Sequence, residues 1–241
     1  KVCRIKIFSS FCDGNHVKKN LENTLIKFPD FYGKDKKYYI VDDNDNNYNY
    51  IILINKPMPN INNIPRENII GLAYEPIPFL GLNNEFVEYA KKYIGKYFIG
   101  DKLDLPEPFT EHFGYMTYSI CRTPFNIKKT KLMSIILSGK KYAPGHIYRH
   151  KLVENIINLN LPIDIFGRGS NQYKNNLNND RIKGIFNDDA EPYEDYLFSI
   201  CIENFISNHY FSEKIMSPLM FGCNPIYLGC VNIENYVENI I

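Results

Sequence analysis

The sequence lacks any apolar run longer than about 18 residues, so it contains no segment expected to span a bilayer. Its start, KVCRIKIFSSFCDG, lacks the apolar core of a signal peptide and does not begin with Met, which is consistent with a trimmed chain. Excess charge is also missing. The 28 Lys and Arg nearly balance the 27 Asp and Glu, so nothing indicates nucleic acid or an anionic membrane as a partner. We expect a soluble protein whose compartment the sequence leaves open.

Paired cysteine motifs are absent as well. The six cysteines form no CxxC pair and are scattered over positions 3, 12, 121, 201, 223 and 230. In a chain of this size that distribution favours small buried hydrophobic residues over a disulfide framework or a zinc site. One acidic triplet, Asp43-Asn44-Asp45, lies in an Asn-rich stretch, and we interpret it as a solvated turn. We therefore expect no metal and no required cofactor.

The first half of the chain alternates predicted strands with a predicted helix. Short apolar runs indicate strands over residues 2–8, 48–54 and 68–76. Apolar residues three and four positions apart indicate an amphipathic helix over 84–95, which Gly95 ends. Such alternation is typical of α/β folds with parallel sheets.

The second half repeats this pattern after a polar, basic stretch at residues 122–131, which we interpret as a linker. Strands are predicted over 131–138, 162–169, 196–204 and 224–229, and helices over 147–159 and 211–222. We therefore predict an α/β protein of two Rossmann-like domains, residues 1–127 and 128–241. In such folds ligands bind at the carboxyl ends of the strands.

One stretch, LFSICIENFISNHYFSEKI, places polar side chains between a predicted strand and a predicted helix. Glu203 and Asn204 end the strand, and Ser212 is a candidate N-cap of the helix. The free N–H groups and the dipole at that point favour an anion, and a facing phosphate would explain Lys214 in the first turn. Glu213 beside it could accept hydrogen bonds from two ribose hydroxyls. Together these residues predict a nucleotide-diphosphate pocket.

The same residues resemble the signature of the α-1,3-fucosyltransferases, glycosyltransferase family ten. That signature, EN-x5-Y-x-[ST]-EK-[IL] followed by G-x-x-PIY-x-G in the spacing of this sequence, is matched without gaps over residues 203–229. Looser matches lie upstream, in LAYEP at 72–76, HFGYMTYS at 112–119 and KLMSIILSGKKYAPGHIYRHKLV at 131–153. The resemblance implies the GT-B arrangement, two Rossmann-like domains facing across a cleft. It also implies GDP-fucose as donor, inverting transfer to a hydroxyl of an acceptor oligosaccharide, and a cytoplasmic or Golgi-lumenal location.

The resemblance also assigns roles to individual residues. Donor binding falls to Glu203, Asn204, Tyr210, Glu213 and Lys214, with Arg149 or His146 as further phosphate ligands. Lys214 and the helix N-terminus would stabilise the negative charge on the leaving phosphate. Glu75 matches an acceptor-side Glu of the family and is the candidate base that takes the proton of the attacking hydroxyl.

Simpler interpretations stay open for several of these residues. Glu203 could cap a turn, and Tyr210 could be part of a hydrophobic core. Arg149 could be a surface residue of its helix. A structural role is favoured for His146, and Glu75 could be an exposed loop residue.

One position departs from the family pattern. The Arg that usually lies seven residues before Leu152 is Gly145 here, and Arg149 or His146 is expected to take its place. This departure leaves two alternatives open, a glycosyltransferase for another nucleotide sugar and an inactive nucleotide- or glycan-binding relative. The sequence also ends soon after PIYLG, so the resemblance predicts a second domain without the family's closing elements.

Overall fold

The structure, a computed structural model, describes four stretches of the chain: residues 2–25, 38–112, 128–174 and 180–238. The chain divides into two units: Lys1–Ile120 with Ser207–Tyr210, and Cys121–Ile206 with Phe211–Ile241. The predicted boundary after residue 127 stays a prediction. Most of the predicted linker at 122–131 and of the family-like segment at 112–119 lies outside the described residues.

The first unit contains a parallel sheet of six strands in the order β2-β1-β3-β4-β5-β6. The strands are β1 (Cys3–Ser9), β2 (Tyr38–Ile40), β3 (Tyr50–Ile54), β4 (Ile69–Leu72), β5 (Lys96–Ile99) and β6 (Phe109–Glu111), and the helices are α1 (Gly14–Leu25), α2 (Ile77–Leu80) and α3 (Asn84–Tyr93). A 3-10 turn covers Arg66–Asn68. Side chains of the central strands pack with α3 in one buried core, which includes Ile51, Leu53, Ile69, Phe86, Tyr97 and Phe109.

The second unit contains a parallel sheet of five strands in the order β11-β10-β7-β8-β9. The strands are β7 (Lys131–Ile136), β8 (Ile163–Phe166), β9 (Ile182–Gly184), β10 (Tyr196–Ile202) and β11 (Asn224–Leu228), and the helices are α4 (Pro144–Asn158) and α5 (Glu213–Met220). Two 3-10 turns cover Arg168–Tyr173 and Ile233–Asn235. In the described stretches, no helix combines the length and the hydropathy needed to cross a bilayer.

The prediction of two α/β, Rossmann-like units is confirmed, and among the element ends that differ from the prediction two affect the site. Helix α4 begins at Pro144, three residues before the predicted start, because proline fits the first helical position and Ala143 before it is extended. Gly145 and His146 therefore lie in the first turn. Strand β4 ends at Leu72, so Glu75 lies in the turn before α2 and not at the strand end.

Each sheet reverses its strand order at one place. In the second unit β7 leads through α4 to β8 on one side, whereas β10 lies on the other side of β7 and leads through α5 to β11. The corresponding reversal in the first unit lies between β1 and β3. Because helices leave in opposite directions at such a point, a crevice forms beyond the carboxyl ends of the two strands, where ligands of these folds bind.

Candidate functional site at the carboxyl ends of β7 and β10

Glu203 is the first residue after β10, and its side chain is completely buried. Its carboxylate accepts hydrogen bonds from the Ser212 backbone N–H at 2.7 Å and from the Ser212 hydroxyl at 2.6 Å. The Lys214 ammonium lies 3.4 Å from the same carboxylate. Burial raises the pKa of Glu203, whereas Lys214 and the hydrogen bonds from Ser212 oppose that shift. Glu203 thus joins the end of β10 to the start of α5.

Lys214 lies in the first turn of α5 among acidic and hydroxyl oxygens. Its ammonium donates to the Ser212 hydroxyl at 2.9 Å and to Glu213 Oε1 at 3.0 Å. Desolvation alone would lower the pKa of Lys214, but the Glu203 and Glu213 carboxylates raise it above its ordinary value. Desolvation would likewise raise the pKa of Glu213, but Lys214 lowers it overall. Lys214 is therefore a cation at neutral pH, with 23% of its side chain exposed.

Helix α4 holds the same strand end from the other side of the reversal point. The Gly145 N–H donates to the Asn204 carbonyl at 3.0 Å. The Arg149 guanidinium donates to the Asn204 side-chain oxygen at 2.8 Å and to the Ile202 carbonyl. Arg149 is only 4% exposed, so it is not the surface helix residue that the sequence left possible.

His146 lies in the first turn of α4, where its Nδ1 accepts the Ala143 N–H at 3.2 Å. Burial, and then the charges of Arg149, Lys140 and Lys214, lower the pKa of His146 to about 4. His146 is therefore a neutral residue close to three cationic side chains, those of Arg149, Lys140 and Lys214. Lys140 was not predicted as a site residue, although the basic GKK run before α4 was the available signal.

The pKa of His146 predicts how stability depends on pH. Because the folded-state pKa of about 4 lies below the ordinary 6.5, the unfolded chain takes up the proton first. The stability that neutral His146 contributes to the folded protein is fully present above pH 6.5 and is lost as the pH falls towards 4. We expect the urea-derived free energy of unfolding to decrease between about pH 7 and pH 5, and to decrease less in His146→Asn, which cannot titrate. Equal decreases in the two proteins would contradict this assignment.

Gly145, the departure from the family pattern, lies where no side chain fits. A Cβ there would meet the Glu203 carbonyl group, 2.8 Å from its carbon, and would lie 2.9 Å from the Asn204 Cα. These neighbours are backbone atoms that two helices hold in place. Close packing of α4 on the strand end therefore excludes an Arg at this position.

This packing predicts the effect of one added methyl group. Gly145→Ala should lower the free energy of unfolding by about 1–3 kcal/mol, because backbone must move to admit it. Gly139→Ala is the matched control, since a Cβ at Gly139 would meet nothing within 4 Å. Urea unfolding of both variants measures the difference. Equal small effects would show that the α4–β10 contact can relax.

A pocket of about 690 Å³ lies beside this cluster, at the carboxyl end of β11. It is lined by residues of the Tyr227–Val231 stretch, by Ile206, and by residues of the 3-10 turn Ile233–Asn235 and the chain after it, including Glu234 and Glu238. Gly229 lines this pocket and packs on the side chain of Glu203. A Cβ added at Gly229 would lie only 2.8 Å from the Glu203 Cβ. A volume within about 300–1,000 Å³ is typical of small-molecule sites.

Two predicted site residues belong to the first unit of the chain, whereas this cluster belongs to the second. Tyr210 is buried and is grouped with the first unit, as part of Ser207–Tyr210. Glu75 is exposed and also belongs to the first unit. The structure brings together Glu203, Asn204, Glu213, Lys214, Arg149 and His146 within the second unit.

The acidic triplet Asp43-Asn44-Asp45 lies at a turn, as predicted, with Asn44 exposed and the two aspartates half-buried and bonded to neighbouring groups. Asp45 pairs with Arg4 at 2.5 Å, and Asp43 accepts the Asn15 N–H at the start of α1 at 3.0 Å. The buried Lys6 ammonium donates to backbone carbonyls of this turn. Within the described residues, no group of three His, Cys, Asp or Glu side chains could hold a metal ion.

The fold and the second-unit site place the chain in the class of proteins built from two Rossmann-like units. Three solved structures share this fold, each covering most of the chain. "Crystal Structure of alpha1,3-Fucosyltransferase" is 16% identical with a TM-score of 0.57, and the match covers 97% of this chain and 71% of that one. The form with GDP is 14% identical (TM-score 0.57, covering 96% and 69%), and the form with GDP-fucose is 13% identical (0.56, covering 97% and 70%).

A family match gives the more specific identification. Residues 126–240, just under half of the chain, match the model of glycosyltransferase family 10 (fucosyltransferase) C-term. The second unit thus matches the C-terminal domain of this family, and the match supports a glycosyltransferase. The predicted resemblance to the α-1,3-fucosyltransferases is confirmed. No curated protein matches the sequence.

Proposed function

We propose that this glycosyltransferase moves fucose from GDP-fucose to a hydroxyl of an acceptor glycan, with inversion and in α-1,3 linkage. One observation carries the donor part of the proposal. At the reversal between β7 and β10, the N-termini of α4 and α5 lie with the cationic Lys214 and Arg149. Helix N-termini and cations together favour a diphosphate.

In this mechanism Lys214 and the α5 N-terminus stabilise the charge that grows on the leaving diphosphate. Glu213, half-exposed beside Lys214, accepts hydrogen bonds from the ribose hydroxyls. Glu75 takes the proton from the acceptor hydroxyl, whose oxygen attacks the fucose C1 on the face opposite the diphosphate. The new C–O bond forms as the bond to GDP breaks, so the configuration at C1 inverts.

Two sources support the choice of donor and sugar. The GDP-fucose complex among the structures of the same fold supports the donor, and the family match supports fucose as the transferred sugar. Gly145 favours one alternative, a different nucleotide sugar, because the phosphate-binding Arg of the family cannot occupy that position.

The proposal is tested by product analysis. The protein is incubated with GDP-fucose and a panel of acceptor glycans in the presence of EDTA, and NMR identifies the product anomer and linkage. We expect GDP release with an α-fucoside formed from the β-linked donor at a 3-hydroxyl. A β-fucoside would contradict inversion, and transfer only from other nucleotide sugars would contradict the donor.

A further inference from the structure

Glu203 belongs to the family-like signature, yet its carboxylate faces the protein interior. Its side chain is completely buried, and three donors converge on it: the Ser212 N–H, the Ser212 hydroxyl and the Lys214 ammonium. Packing of Gly229 against its stem closes the remaining side. A carboxylate that is filled and enclosed in this way has no surface left for a ligand.

The partners of Glu203 are the residues that set the position of the Lys214 ammonium. Ser212 caps α5 by accepting the Lys214 N–H, and its hydroxyl also accepts from the ammonium at 2.9 Å. Glu203 fixes both the backbone and the hydroxyl of Ser212. The short Glu203–Ser212 contacts therefore control the direction of the Lys214 side chain.

The backbone next to Glu203 is equally constrained. Arg149 and the Gly145 N–H hold Asn204, and Arg149 also binds the Ile202 carbonyl. The strand end is thus a fixed support between two helices. A charged group on such a support can orient a neighbouring cation without itself touching a substrate.

We propose that Glu203 is a positioning residue that holds the α5 N-terminus and the Lys214 ammonium in place for the donor phosphates, and that it does not bind the donor itself. This role rests on the proposed function, because the GDP-fucose donor supplies the phosphates that Lys214 would bind. It replaces the direct donor contact that the sequence predicted for Glu203.

A double-mutant cycle with GDP tests the inference by calorimetry. Glu203→Gln should weaken GDP binding by about tenfold in the wild-type background, the scale of one charged hydrogen bond. In a Lys214→Ala background it should weaken binding less than about twofold, because the residue through which it acts is gone. The same tenfold loss in both backgrounds would show a direct ligand contact and overturn the inference.

A readout without donor separates this inference from the proposed function. NMR titration of the ¹⁵N-labelled Lys214 ammonium should give a lower pKa in Glu203→Gln than in the wild type, since Glu203 raises it. An unchanged pKa would overturn the inference even if GDP binds. Failure of the wild type to bind GDP, with the expected pKa change present, would instead contradict the proposed function.

The cycle also has a second variant in case Glu203→Gln does not fold. Ser212→Ala removes the hydroxyl between Glu203 and Lys214 but keeps both charges. It should weaken GDP binding in the wild-type background and have less effect in the Lys214→Ala background. Equal effects in the two backgrounds would overturn the inference.

Discussion

Lys214→Ala is expected to weaken GDP and GDP-fucose binding by about 10- to 100-fold, the range expected when one or two charge-assisted hydrogen bonds to phosphate are lost. The Glu203 and Glu213 carboxylates raise the pKa of Lys214, so its ammonium stays charged at neutral pH and can neutralise phosphate oxygens. Turnover should fall as well, because the same charge stabilises the leaving diphosphate. Calorimetry with GDP and steady-state kinetics with GDP-fucose measure the two effects.

The matched control for this variant is Lys131→Ala. Lys131 begins β7 at the end of the sheet opposite to the site. Its side chain is 46% exposed, and its ammonium pairs with Asp195. Its removal subtracts the same charge from the same unit. Equal losses of GDP affinity in the two variants would show that net charge, and not the position of Lys214, determines binding.

Glu75→Gln is expected to lower kcat by about 10²- to 10⁴-fold while GDP binding stays unchanged, the range of one general base. The amide keeps the shape of the side chain but cannot accept a proton. Glu75 lies in the first unit, in the turn before α2, so its loss should not disturb the donor cluster in the second unit. Initial rates of fucose transfer and GDP calorimetry separate the two quantities.

Glu85→Gln is the control for Glu75, as an exposed glutamate of the same unit in the first turn of α3. It should leave kcat within about twofold of wild type, as surface substitutions usually do. Full activity of Glu75→Gln would remove Glu75 as the base and would direct attention to other acidic or histidine side chains of the first unit.

Local signals made the candidate donor cluster predictable. The strand over β10 is a buried apolar run, and Ser212 followed by Glu and Lys is a helix start that needs no tertiary information. Lys214 and Glu213 could therefore be placed from the sequence. Other elements escaped prediction. Helix α1 has only three large apolar residues among twelve, and the three-residue strands β2, β6 and β9 are too short to show a period.

Contacts between distant residues could not be predicted in the same way. Arg149 and Asn204 are 55 residues apart, and only the packing of α4 on β10 brings them together. The inward direction of the Glu203 side chain and the absence of space at Gly145 are further consequences of that packing. Sequence patterns identify which residue types collect at a strand end, whereas tertiary contacts decide which of them face a ligand.

A thermal-shift panel of nucleotides tests the central claim, a GDP-sugar site at the ends of β7 and β10, most directly. A ligand that binds only the folded protein raises its melting temperature by mass action. We predict stabilisation by GDP and GDP-fucose, a loss of that stabilisation in Lys214→Ala, and none by UDP or UDP-sugars. A response to UDP compounds with none to GDP would contradict the account.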